Sequence, residues 1–146
     1  MANTLNVHLQ SLGGDLTFAA RSGTGHWTMI DGSKKAGGND GAASLLELLL
    51  EALAGCTGMD TLSILKKKRT PFRKLEIFVE GDKREEHPRI ITDIRLRFVL
   101  HTGGGEKALR DLKRAAELSY EKYCTVSNML KESADISYET EIVDAE

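Results

Sequence analysis

Neither sign of charge prevails in this chain: 20 lysines and arginines stand against 22 acidic residues in 146, a net charge of −2. That balance gives no support to nucleic acid or an anionic membrane surface as a partner. Cysteine is scarce, with Cys56 and Cys124 the whole complement. Two cysteines in a chain of this length are not a disulfide framework. They are either buried free thiols or, if they pair, a redox-active couple. The opening MANTLNVHLQSLGGD has neither a basic n-region nor an apolar h-region, so no secretory signal is read and the cytoplasm is the expected compartment. The cysteines and His8, His26, His87 and His101 show no CxxC, HxxxH or comparable ligand spacing, so no metal is expected. There is no GxSxG, no dinucleotide-type GxGxxG and no GxxxxGK[ST]. The glycine-rich DGSKKAGGNDGAA over 31–43 therefore reads as a loop, not a phosphate cradle. Thiol chemistry is what remains.

What is present centres on SLLELLLEALAGCTGMDTLSILKKKR, Ser44 to Arg69. It reads as one helix of roughly 40 Å at 1.5 Å per residue. Leu45, Leu46, Leu48, Leu49, Leu50 and Leu53 cover nearly every side, the pattern of a buried helix. A helix that long in a chain of this size implies that part of its surface buries against a second subunit. Its apolar run is too short, and too interrupted by Glu47 and Glu51, for the ~20 residues a bilayer needs. Ser44 with Glu47 fits a capping box, Lys66 to Arg69 suit the negative end of the macrodipole, and Pro71 is a stop signal.

Around this helix the periodicity is mostly that of strands. Residues 5–9, 15–20 and 26–30 are short β-like runs separated by glycine-bearing turns. Leu75 to Glu80 and Ile90 to Leu100 alternate apolar and polar, joined by the charged Asp82 to Arg89, which reads as a solvated hairpin end. Glu106 to Tyr123 has helical spacing, Cys124 to Leu130 starts a short second helix, and residues 135–143 alternate again. The order β-β-β-α-β-β-α-α-β predicts one α+β domain over 1–146, with mostly antiparallel pairing.

The two thiols sit in different settings. Cys56 lies mid-helix among Ala54, Gly55, Thr57 and Gly58. Burial there raises a thiol pKa, while small neighbours let a ligand or another backbone approach. Cys124 sits at a helix start, where unpaired N–H groups favour thiolate. Spacing does not say whether the two meet.

The string GGNDGAASLLELLLEALAGCTGMDTLSILKKKR, the hairpin EGDKREEHPRIITDIRLRF and the later YEKYCTVSNML resemble the OsmC/Ohr family, the osmotically inducible and organic hydroperoxide resistance proteins, in its OsmC-like branch. The resemblance covers nearly the whole chain. It implies antiparallel sheets packed around a long central cysteine-bearing helix in an intertwined homodimer. It also implies a thiol-dependent hydroperoxide reductase that needs no metal or bound cofactor and has a largely apolar pocket for organic hydroperoxides. Cys56 would be the peroxidatic thiolate, Cys124 would close a disulfide with the Cys56 sulfenic acid, and an external dithiol would restore both. The family's activating pair, an arginine from the N-terminal strands and a glutamate early in the long helix, falls on Arg21 and Glu47.

The sequence departs from the family in three places. Thr125 stands where Cys-Pro-Val-Ser has its proline, and Ala43-Ser44 stand near the family's Asn-Pro-Glu. Glu47 is nine residues before Cys56, near the opposite side of the helix, while the ten-residue position, about 80° away, is Leu46. Glu47 also reads as a capping residue, and Asp60, one turn after Cys56, or His26 is a substitute organiser of the site. The alternatives are a non-catalytic OsmC-like dimer that binds an apolar ligand or works as a thiol switch, and a structural dimer with inert cysteines.

Overall fold

The computed structural model describes residues 3–145. The chain divides into two compact units, one up to Leu49 and one from Leu50 onward, so the boundary falls inside the long helix.

The first unit is a meander. β1 (Val7–Ser11), β2 (Phe18–Ser22) and β3 (Trp27–Ile30) pair antiparallel in that order. The first two strands run two or more residues later than the apolar runs suggest. The β2–β3 turn is closed by side chains: Ser22 Oγ lies 2.9 Å from Thr24 Oγ1, which lies 2.9 Å from His26 Nδ1. His26 thus serves the turn. Ala19 and Ala20 are buried, while Leu5, Val7 and Trp27 are exposed.

The loop that follows is organised by its own carboxylate. Asp31 is buried and accepts from the amides of Asn39 (3.3 Å) and Gly41 (2.9 Å). The Gly41 bond above all, against the cost of burial, holds its carboxyl below the usual range. Amides that could have faced a phosphate face Asp31 instead. At Gly38 the backbone passes so close that an added Cβ would fall 2.0 Å from the Gly32 carbonyl oxygen, so only glycine fits.

Helix α1 spans Leu45–Lys67 and straddles the unit boundary. Its capping box is formed as expected: the Ser44 amide donates to Glu47 Oε1 (3.0 Å) and the Glu47 amide to Ser44 Oγ (3.3 Å). Within the one chain α1 is not covered all round. Only Leu53, Thr57, Thr61 and Leu65 are buried, a single stripe at four-residue spacing. Leu45 remains 69% exposed and Met59 75%. By length and composition α1 does meet the requirement for a membrane span, with mean hydropathy 1.4, so the exclusion on run length is also corrected. What ties α1 to a folded unit is that stripe and its hydroxyl contacts, described below.

The second unit holds β4 (Lys74–Lys83), β5 (Ile91–Thr102), α2 (Gly105–Leu118), a π turn (Ser119–Tyr123), α3 (Thr125–Leu130) and β6 (Asp135–Asp144). β5 is central. It pairs antiparallel with β4 and parallel with β6. Three of the four strand pairings are antiparallel, the majority expected, and β5–β6 is the parallel exception. The α2–α3 connection is long enough to carry the chain back to the same end of the sheet, which a hairpin cannot do. On β5, Ile94, Leu96, Phe98, Leu100 and Thr102 point into the core, while Arg95 and Arg97 pair with Asp82 and Glu141 on the other face. Ile90 precedes the strand and is exposed.

α2 presents Ala108, Asp111, Leu112, Ala115 and Ala116 inward, the amphipathic seam its spacing predicts. Asp111 anchors the chain just past α1, accepting from Thr70 Oγ1 (2.6 Å) and Lys107 Nζ (2.8 Å). α1 lies over β4: a Cβ at Gly58 would sit 3.4 Å from Ile77, and one at Gly81 would sit 3.3 Å from Leu50.

Candidate functional site: two thiols and a carboxylate

Cys56 lies two turns into the second unit's part of α1, half-buried, with Gly55 beside it exposed. A Cβ at Gly55 would meet nothing within 4 Å. The small residues around Cys56 therefore leave it open to approach, as the sequence suggested.

Cys124 arrives from the other direction. α2 ends in a π turn, in which the Cys124 amide donates to the Ser119 carbonyl at 2.7 Å, five residues back. Such wide turns recur at functional sites. The chain then leaves the helical region at Cys124, which caps α3: its Sγ accepts from the Ser127 amide at 3.3 Å. Cys124 is fully buried. Burial pushes its thiol up, against the pull of the Ser127 bonds, and neighbouring Cys56 adds to the rise. The helix start was expected to favour thiolate. It does contribute in that sense, but loss of water outweighs it.

The fold brings these two residues together with Asp60. The Cys56 and Cys124 sulfurs and an Asp60 carboxylate oxygen all lie within 4.8 Å of one another. Cys56 and Asp60 are one turn apart on α1 and so share a face. Asp60 is held by Ser119, whose hydroxyl donates to Oδ2 at 2.9 Å. The Thr57 and Ser119 hydroxyl oxygens are 2.8 Å apart. Since the Ser119 proton goes to Asp60, Thr57 is the donor of that bond, and a directed relay runs from Thr57 through Ser119 to Asp60. Thr61 Oγ1 donates to the Thr57 carbonyl at 2.7 Å.

Sequence reasoning missed Ser119 and Thr57. Ser119 lies inside the helical spacing of Glu106 to Tyr123, and nothing in the sequence marks the π turn that aims its hydroxyl at Asp60. The absence of metal-ligand spacing also concealed the Cys56–Asp60–Cys124 cluster, because one of its members comes from a distant segment.

Arg21 and Glu47 belong to the first unit. Arg21 is on β2, with its guanidinium 5.9 Å from the Trp27 ring centroid. Glu47 is engaged in the capping box, and the Ser44 amide and hydroxyl hold its carboxyl below the usual range. Among the described residues Asp60 has no ion-pair partner.

A long helix carrying one thiol, with a second thiol brought beside it from a helix break, defines a class of two-cysteine α+β proteins. The chain belongs to the OsmC-like family, whose model, described as OsmC-like protein, matches residues 37–139. Protein YhfA of Escherichia coli strain K12 is 39% identical over 135 residues, covering 89% of this chain and 92% of YhfA. The crystal structure of a hypothetical protein from Aquifex aeolicus VF5 matches with a TM-score of 0.83 at 32% identity, over 99% of this chain and all of the other. A Legionella pneumophila protein described as an organic hydroperoxide resistance protein OsmC shares the fold at a TM-score of 0.69 and 13% identity, over 96% of this chain and 98% of that one. The resemblance drawn from the sequence and the OsmC-like α+β fold are both borne out.

Proposed function

We propose that this protein is a thiol-dependent hydroperoxide reductase acting on organic hydroperoxides. The observation that carries the reading is the approach of the Cys56 and Cys124 sulfurs to within 4.8 Å, one half-buried and one buried. The Legionella protein's description adds support from a shared fold. The Cys56 sulfur attacks one oxygen of the peroxide. An S–O bond forms, the O–O bond breaks, and the alkoxide takes a proton and leaves as alcohol. The sulfur is now a sulfenic acid. The Cys124 sulfur then attacks it, an S–S bond forms, and water leaves. An external dithiol reduces the disulfide by two exchange steps. Arg21 and Glu47 are the activating pair in this reading, by family resemblance, with Asp60 the ionisable group that stands beside both thiols. The cytoplasm suits a cycle that starts from two reduced thiols. A homodimer is part of the proposal, supported by the uncovered Leu45 and Met59 on α1.

Reduced protein is mixed with a slight excess of cumene hydroperoxide, and intact mass and free thiols are followed over seconds. Loss of both thiols with a mass drop of about two units, absent in Cys56→Ser, supports the reductase. Survival of both thiols for minutes in folded protein overturns it. Separate Arg21→Lys and Glu47→Gln variants test the activating pair, since a fall in the rate of sulfenic acid formation is required of each.

One observation favours the second reading, a thiol switch without turnover. The ionisable side chain the fold sets beside both sulfurs is the Asp60 carboxylate, not an activating cation. Disulfide formation that reverses with dithiol but consumes no further peroxide in steady state selects the switch.

A further inference from the structure

We propose that the reduced protein binds one zinc ion through Cys56, Cys124 and Asp60. Three ligand atoms of suitable kind converge to within 4.8 Å of one another. In a tetrahedral site with Zn–S near 2.3 Å and Zn–O near 2.0–2.2 Å, such atoms stand about 3.5–3.8 Å apart. Side-chain rotation of about 1 Å closes the difference. Two thiolates select a soft divalent cation over magnesium or calcium, and the carboxylate completes a set that zinc accepts.

The surroundings are those of a supported ligand set. Ser119 donates to Asp60 Oδ2 and is itself held by Thr57, which fixes the carboxylate beside the two sulfurs. The Ser127 amide fixes Cys124 Sγ. Cys56 and Asp60 ride on the same face of one rigid helix. Three protein ligands with the fourth position left to solvent is the pattern of an exchangeable zinc site, not a closed structural one.

Binding exchanges two thiol protons for one zinc ion, so two protons are released per ion bound. Zinc and the disulfide exclude each other because both need the same sulfurs. In the part of the inference that rests on the reductase reading, hydroperoxide and two protons convert the zinc dithiolate to disulfide, alcohol and water, and free zinc is ejected. Zinc then guards the resting thiols and peroxide removes it.

The test uses the full-length reduced protein without peroxide, so that its outcome is separate from that of the reductase assay. Zinc is titrated in competition with a chromogenic chelator, with proton release followed in weak buffer. The expected result is one zinc and two protons per chain. Asp60→Asn weakens binding by more than the roughly tenfold to hundredfold loss typical of supporting groups, and Ser119→Ala weakens it within that range. Protein oxidised to the disulfide with diamide binds none. Failure to retain zinc, or equal retention by Asp60→Asn or by the diamide-oxidised protein, overturns the proposal. If Asp60→Asn does not fold, cobalt is added to the wild type instead. A sulfur-to-cobalt charge-transfer band supports the site, and its absence sinks it.

Discussion

The segments that deliver the two cysteines are built on opposite plans. Cys56 sits in the middle of an unbroken helix of 23 residues, exposed on one flank because its neighbours are small. Cys124 sits at a break, where a π turn hands over to a helix of six residues, and it is wholly buried. A regular helix supplies position without enclosure. A break supplies enclosure here: Cys124 is buried where the π turn meets α3, and the Ser127 amide meets its sulfur. The comparison teaches that backbone context alone can leave one of two identical side chains open and the other enclosed.

The largest expected effect breaks that contrast outright. Cys56→Ser should lower peroxide turnover by at least about a thousandfold, on the scale seen when an enzymatic nucleophile is removed. Cys124→Ser should keep the first, stoichiometric burst of alcohol and stall afterwards with a sulfenic acid that dimedone traps. Equal effects of the two variants on the burst would erase the distinction.

Alkylation sharpens it in the unreacted protein. Iodoacetamide should modify Cys56 at least about tenfold faster than Cys124, because burial withholds both access and thiolate from Cys124. Peptide mapping after timed quenching reads the ratio.

Stability variants test the claim that α1 holds itself by one stripe. Leu53→Ala, at a fully buried position, should cost about 2–5 kcal/mol. Leu45→Ala, which is 69% exposed, should stay within about 0.5 kcal/mol in dilute protein. A Leu45 or Met59 variant whose melting temperature loses its dependence on protein concentration would locate the second subunit on that flank. On the other segment, Ser119→Ala should cost about 1–3 kcal/mol by leaving Asp60 and Thr57 short of a partner.

The smallest effect concerns Asp111, which links the end of α1 to α2. Hydrogen bonds from Lys107 and Thr70, against burial, hold its carboxyl below the usual range. A carboxyl depressed in the fold contributes fully above its unfolded pKa of about 4, and the contribution drains as pH falls towards the folded value. Denaturant midpoints should therefore decline below roughly pH 4, and Asp111→Asn should flatten that decline.

Much of this was legible in the sequence. The capping box at Ser44 and Glu47, the seam of α2 and the alternation on β5 are local patterns, and each appears where its spacing placed it. That the chain itself covers α1 along one stripe only was not legible, because apolar residues on every side of a helix show only that every side can be covered. They do not show that this chain covers them. The parallel run of β6 was not legible, since alternation carries no direction. Nor was the meeting of Cys56, Asp60 and Cys124, because Ser119 and its π turn depend on where the end of α2 meets α1. Asp60 was noticed for the face it shares with Cys56, but its hydrogen-bond partner, Ser119, was not.

The parallel pairing of β5 with β6 also bears on the order of events in folding. β4 and β5 are joined by a short connection and can zip together as soon as both exist. β6 can add only after the chain has passed through α2, the π turn and α3, so its pairing carries the larger loop-closure cost. Amides of the β4–β5 hairpin should gain exchange protection before those facing β6, and the segment bearing Cys124 is laid across the sheet between the two stages. On that order Cys124 should take its final seat late, after the β4–β5 hairpin has formed.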